Sequence, residues 1–111
     1  MREDFDRDAI RQLNDDIRQN FEGGQVLLTP GVLDLPAETL SKVLRAIRVF
    51  DDWTEDCDPW GLHDFGQVEI NGHKVWFKVD AYDANMEFGS PNPADPNLTR
   101  RVMTVLLPHE Y

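Results

Sequence analysis

The sequence predicts an α+β fold: two helices packed on a mostly antiparallel sheet of about four or five strands. Three observations carry this. Two segments place apolar residues at helical spacing, an Asn-Gly pair is flanked by strict alternation, and a run near the C-terminus is apolar on both parities. The expected order is α-β-α-β-β-(β)-β, within one domain over residues 1–111.

The first helix is expected over residues 5–21. Phe5, Ile10, Leu13, Ile17 and Phe21 make one stripe, and the charged residues between them read as a solvated face. Asp4, Asp6 and Asp8 suit its N-terminal end, and Gly23-Gly24 stops it. Gln25 to Thr29 reads as a strand buried on both faces, ended by a turn at Pro30-Gly31. A second helix is expected from about Pro36 to Phe50, with Leu40, Val43, Leu44, Ile47 and Phe50 inward and Lys42, Arg45 and Arg48 on another face.

Asn71-Gly72 predicts a type I′ hairpin, because both central positions need positive φ. That register sets Ile70 opposite His73, Glu69 opposite Lys74 and Val68 opposite Val75. Val68, Ile70, Val75, Phe77 and Val79 then face the core, while Gln67, Glu69, Lys74, Trp76 and Lys78 face outward. Three prolines within residues 91–96 exclude a regular element there. Met86-Glu87-Phe88 is expected as a short edge strand, and Arg101 to Leu107 as a central strand.

The chain carries 21 acids and 11 bases among 111 residues, a formal charge of -10. A general nucleic-acid binder needs Lys/Arg clusters for counterion release, so direct nucleic-acid binding is not expected. An anionic membrane surface is disfavoured for the same reason. One cysteine, no secretory signal and no long apolar run fit a cytoplasmic protein. The charge is uneven. Residues 1–48 hold nine acids and seven bases, whereas residues 49–99 hold eleven acids and two bases.

Residues 51–65 form a long loop with six acids and no Lys or Arg. Trp53 and Trp60 bracket much of it. Carboxylates beside aromatic rings can make a binding surface, the rings supplying anchor area and the charges steering a basic partner. The expected partner-binding residues are therefore Asp51, Asp52, Trp53, Glu55, Asp56, Asp58, Trp60 and Asp64. The opposing possibility is that the tryptophans fold inward and pin the loop.

The competing reading is a small metal-dependent enzyme centred on His63, Asp64, Asp56 and Asp58. An EF-hand frame starting at Asp56 puts Gly61 correctly at the sixth position. It fails at Trp60 and Gln67, where oxygen ligands are required. Cys57 is surrounded by carboxylates that suppress its thiolate, and no catalytic set is recognisable around it. His63-Asp64 reads more readily as a backbone-fixing pair, with Gly66 permitting an unusual dihedral. No catalytic residue, metal ligand or cofactor is assigned. A structural or regulatory subunit, acidic only for solubility, is the third class.

Glu55-Asp56-x-Asp58-Pro59-x-Gly61-x-His63-Asp64-Phe65-Gly66 is the central block of a wider pattern. The pattern includes Leu13-Asn14-Asp15 with Arg18, Lys78-Val79-Asp80, Gly89-Ser90-Pro91-x-Pro93-Ala94-Asp95-Pro96, Arg101-Val102 and Glu110-Tyr111. In these residues the chain resembles a family of small bacterial proteins of unknown function carried by plasmids and other mobile elements. Cys57 stands where that family usually has Asn, and Leu62 where an acid is common. The resemblance implies no activity, but its setting implies a class. Small acidic proteins of mobile elements often resemble inhibitors of host defence, such as anti-restriction or anti-CRISPR proteins. The expected partner is then a protein with a basic surface, such as a nuclease or defence complex.

Overall fold

The structure is a computed structural model that describes the backbone of residues 2–111 and the side chains of residues 6–111. The roles expected of the Asp4 and Phe5 side chains lie outside the described residues. The elements are α1 (Arg2–Asn20), β1 (Gly24–Leu28), α2 (Pro30–Leu33), α3 (Ala37–Arg48), β2 (Phe65–Ile70), β3 (His73–Tyr82) and β4 (Arg100–Leu106), followed by a 3-10 turn at Pro108–Glu110. The strands form one mixed sheet in the order β1-β4-β3-β2. β1 runs parallel to β4, and the other two pairings are antiparallel. The fold is α+β.

The hairpin follows the expected register at all three predicted pairs. Asn71 and Gly72 have φ of 53° and 81°, the positive pair a type I′ turn demands. β4 is central, and Val102, Met103, Val105 and Leu106 are all buried. Ile17 of α1 and Val43 and Ile47 of α3 close onto Val68, Val75, Phe77 and Val79 of the hairpin, and onto Met103 and Val105 of β4.

Five expectations are corrected. β1 is not buried on both faces: it is an edge strand, and Leu27 is 49% exposed. The inward positions Val26 and Leu28 pack on the core, while Gln25 and Leu27 face solvent, the alternation of a half-covered strand. Pro30-Gly31 does not make a simple turn. Pro30 opens the one-turn helix α2, where its fixed φ and missing N–H are tolerated, with Thr29 as N-cap.

Met86-Glu87-Phe88 forms no strand; an isolated bridge pairs Gly89 with Tyr82. Asp83 instead takes the N–H groups of Asn85 and Glu87, and Asn92 and Asp95 make similar local bonds. Such side-chain acceptors compete with a strand ladder and win in this segment.

The polar residues of α1 are not all a solvated face. Asn14 and Arg18 lie one helical turn apart beside Ile17, and both are buried. Phe21, expected on the apolar stripe, ends the helix in the left-handed region at φ 57° and is partly exposed beneath the Arg48 guanidinium.

Candidate functional site

The segment between α3 and β2 leads from the C-terminal end of α3 to the start of β2 and is tied back to α1 at several points. Arg11 Nη1 donates to the Gly61 carbonyl at 3.1 Å, and Asn14 Nδ2 to the Leu62 carbonyl at 2.9 Å. Asn14 Oδ1 accepts from Arg101 Nε at 2.7 Å, so one amide joins the loop to the central strand. Arg18 Nη1 reaches the carbonyls of Ile47, Arg48 and Phe50 at 3.1–3.2 Å. These carbonyls lie at and just past the end of α3, where a cation is favoured. Its Nη2 donates to Asp15 Oδ1 at 2.9 Å.

Inside the loop, Asp58 is the organising residue. Its Oδ1 accepts from the N–H groups of Leu62 and His63 at 2.9 and 3.0 Å. His63 has φ 56°, an uncommon conformation for a residue with a Cβ, held by these contacts. Its Nδ1 is 2.9 Å from Asp15 Oδ1, and its Nε2 is 3.8 Å from Asp58 Oδ2. A carboxylate only accepts, so Nδ1 carries a proton in this arrangement. The His63 ring lies flat on Trp53, centroids 4.0 Å apart and planes 5° from parallel. Trp53 also meets Phe50 and Phe77 edge-on and lies beneath the Arg18 guanidinium.

The residues named from sequence therefore separate into two groups. Trp53 and Asp58 turn inward and hold the loop. Asp64 is half-buried and lines a cleft of about 250 Å³ with Asn14, Asp80 and Arg101. Burial pushes the Asp64 pKa upward, and the charges of Asp58 and Asp80 add to that. Burial lowers the Arg101 pKa. Asp51, Asp52, Glu55 and Asp56 are exposed, and Trp60 beside them is 68% exposed.

The alternative enzymatic centre does not assemble from its four residues. His63 faces Asp58 and Asp15, whereas Asp56 is exposed and has no hydrogen-bond or ion-pair partner among the described residues. Among the described residues, no three His, Cys, Asp or Glu side chains converge as a metal site would require. Cys57 contacts Thr54 and the Asp52 carbonyl, while both His63 ring nitrogens face carboxylates. Gly66 does not adopt positive φ; it is a space requirement, because a Cβ there would strike the Phe77 ring.

Asn14, Asp15, Arg18 and Arg101 share the sequence pattern of the central block, but the sequence assigned them no role in holding the loop. The available signal was a helical repeat: positions 11, 14, 15 and 18 share one face of α1. A second polar junction closes the other end of the fold. Glu110 accepts from Thr29 Oγ1 at 2.6 Å, from the Gly31 N–H at 2.9 Å and from the Leu107 N–H at 2.8 Å.

The cations of α3 do not neutralise the exposed acids. Lys42 pairs with Glu38, and Arg48 donates to the Gln19 carbonyl. Among the described residues, Asp51, Asp52, Glu55 and Asp56 have no ion-pair partner. No helix among the described residues is long and apolar enough to cross a membrane.

No curated protein and no solved structure matches the chain. A family model described as a protein of unknown function, DUF3768, matches residues 28–110. That span takes in the whole acidic loop, the hairpin, β4 and the Glu110 junction, whereas α1 precedes it. The chain belongs to the DUF3768 family.

Proposed function

We propose that the protein is a non-enzymatic binding module that engages a basic protein through the exposed carboxylates of residues 51–56, with Trp60 as the aromatic anchor. The single observation that carries this reading is the division of labour in the loop. Asp58, His63 and Trp53 fasten it from behind, while Asp51, Asp52, Glu55 and Asp56 remain exposed without internal counter-ions among the described residues.

A fastened loop loses less conformational entropy on binding than a free one. Concentrated negative charge steers a Lys/Arg-lined surface into encounter, and a large exposed ring supplies the buried contact that slows dissociation. The partner class with such a surface is a nucleic-acid-binding protein. A nuclease or defence complex whose groove these carboxylates occupy in place of phosphates is the specific form proposed, with inhibition as the consequence.

The test is capture of partners from a host lysate at low salt, followed by identification by mass. Recovery of a protein with a basic groove, lost when Asp52, Glu55 and Asp56 are changed to their amides, supports the reading. Capture that survives both those changes and high salt contradicts it.

A further inference from the structure

We infer that His63 is a proton-operated clasp that fastens the acidic loop to α1. The inference concerns the loop's own order and stands whether or not a basic partner is found. One imidazole is placed between two carboxylates on different segments: Asp15 of α1 at Nδ1, 2.9 Å away, and Asp58 of the loop at Nε2, 3.8 Å away. The neutral ring has one N–H. With that proton directed at Asp15, the Nε2 lone pair faces the Asp58 carboxylate, and the contact is repulsive. The imidazolium carries an N–H on both nitrogens, so it keeps the hydrogen bond to Asp15 and turns the 3.8 Å approach to Asp58 into an electrostatic attraction.

The other charged groups around the ring are few. From the loop, Asp64 adjoins it and interacts with its charge. From α1, Arg18 shares the same Asp15 oxygen and lies over Trp53, which the imidazole covers. The groups facing the imidazole are thus three carboxylates and one guanidinium. Asp58 is also the acceptor for the Leu62 and His63 N–H groups, so the same carboxylate faces the imidazole and holds the turn that ends the loop. Protonation of the imidazole therefore tightens the clasp, and deprotonation loosens it.

The stack on Trp53 supplies the readout, because an imidazolium in contact with indole quenches its emission. The test uses the full chain with Trp60→Phe and Trp76→Phe, leaving Trp53 as the sole tryptophan. The expected result is a loss of emission on acidification through the imidazole range, absent when His63→Gln is added. The His63 ring-proton resonance of the unaltered chain should titrate with the same midpoint, and amide protection factors over residues 52–63 should rise at the acid end. Emission that stays flat, or that titrates equally in the His63→Gln chain, overturns the clasp. So does a ring that titrates while loop protection stays constant. If the substituted chains do not fold, the ring titration and the protection factors of the unaltered chain decide the matter alone.

Discussion

Asp56 and Asp58, two residues apart in one acidic run, occupy opposite environments: the Asp58 carboxylate accepts the Leu62 and His63 N–H groups, and Asp56 is exposed. Their substitution should separate structure from recognition. Asp58→Ala leaves two backbone donors without an acceptor and should cost roughly 2–4 kcal/mol. Asp56→Ala should change stability by less than about 0.5 kcal/mol, as surface substitutions usually do. Urea unfolding midpoints of the two variants check both expectations. Charge reversal intended to probe binding therefore belongs at Asp52, Glu55 and Asp56, because reversal at Asp58 would disrupt the loop itself.

Arg18 gathers the end of α3, the start of the loop, Asp15 and the Trp53 ring onto one side chain. It is 2% exposed, so its loss strands several carbonyls and the Asp15 charge. Arg18→Ala should destabilise by roughly 3–5 kcal/mol, the range for removing one partner of a buried pair. Arg18→Lys should recover only part of this, since an ammonium cannot reproduce the planar fork. Chemical denaturation of the two variants gives the comparison.

The two shifted carboxylates predict opposite pH slopes. Burial holds the folded Asp64 pKa above the usual 3.8, so the unfolded chain releases that proton first and stability falls as pH rises through the window above 3.8. Asp64→Asn should therefore raise the unfolding midpoint at neutral pH, and the gain should vanish in acid. Hydrogen bonds from Thr29, Leu107 and Gly31 hold Glu110 below its usual 4.5. Its contribution is present above that value and is lost as pH falls through the lower folded pKa. Glu110→Gln should lower the midpoint at neutral pH, with the deficit shrinking in acid. Unfolding midpoints across pH 3–7 test both signs.

Gly66 predicts a steric penalty in the core. A Cβ there would lie 2.5 and 2.6 Å from Phe77 ring atoms and 2.9 Å from Phe50. Those rings also contact Trp53, so they cannot yield freely. Gly66→Ala should cost about 1–3 kcal/mol, as overpacking does, and should shift the near-ultraviolet circular dichroism of the aromatic cluster.

The elements legible in the sequence were those governed by local rules. The Asn71-Gly72 turn specified its own dihedrals, and through them every residue pair of the hairpin. β4 announced its central position by being apolar on both parities. β1 misled because Val26, Leu27 and Leu28 are apolar in succession, yet only one of its faces meets a helix. Met86-Glu87-Phe88 misled because the Asp83 side chain captured the backbone that a strand would have used.

The loop's acids were visible from composition, but their division was not. Whether an aspartate faces solvent or two N–H groups depends on a turn that Asp58 itself creates. The α1 contribution was hidden for a different reason. Asn14, Asp15 and Arg18 look like ordinary surface residues until Leu62, His63 and the end of α3 arrive from sequence positions about 30 to 50 residues away.

The most direct measurement compares partner capture from a host lysate by the native chain and by the Asp52→Asn, Glu55→Gln, Asp56→Asn chain, at low and at high salt. Matched unfolding midpoints establish that both chains are folded. A Lys/Arg-rich protein that the native chain retains at low salt and releases at high salt, and that the substituted chain does not retain, is the predicted result. The same protein retained by both chains at both salt concentrations would contradict recognition through the exposed acidic loop.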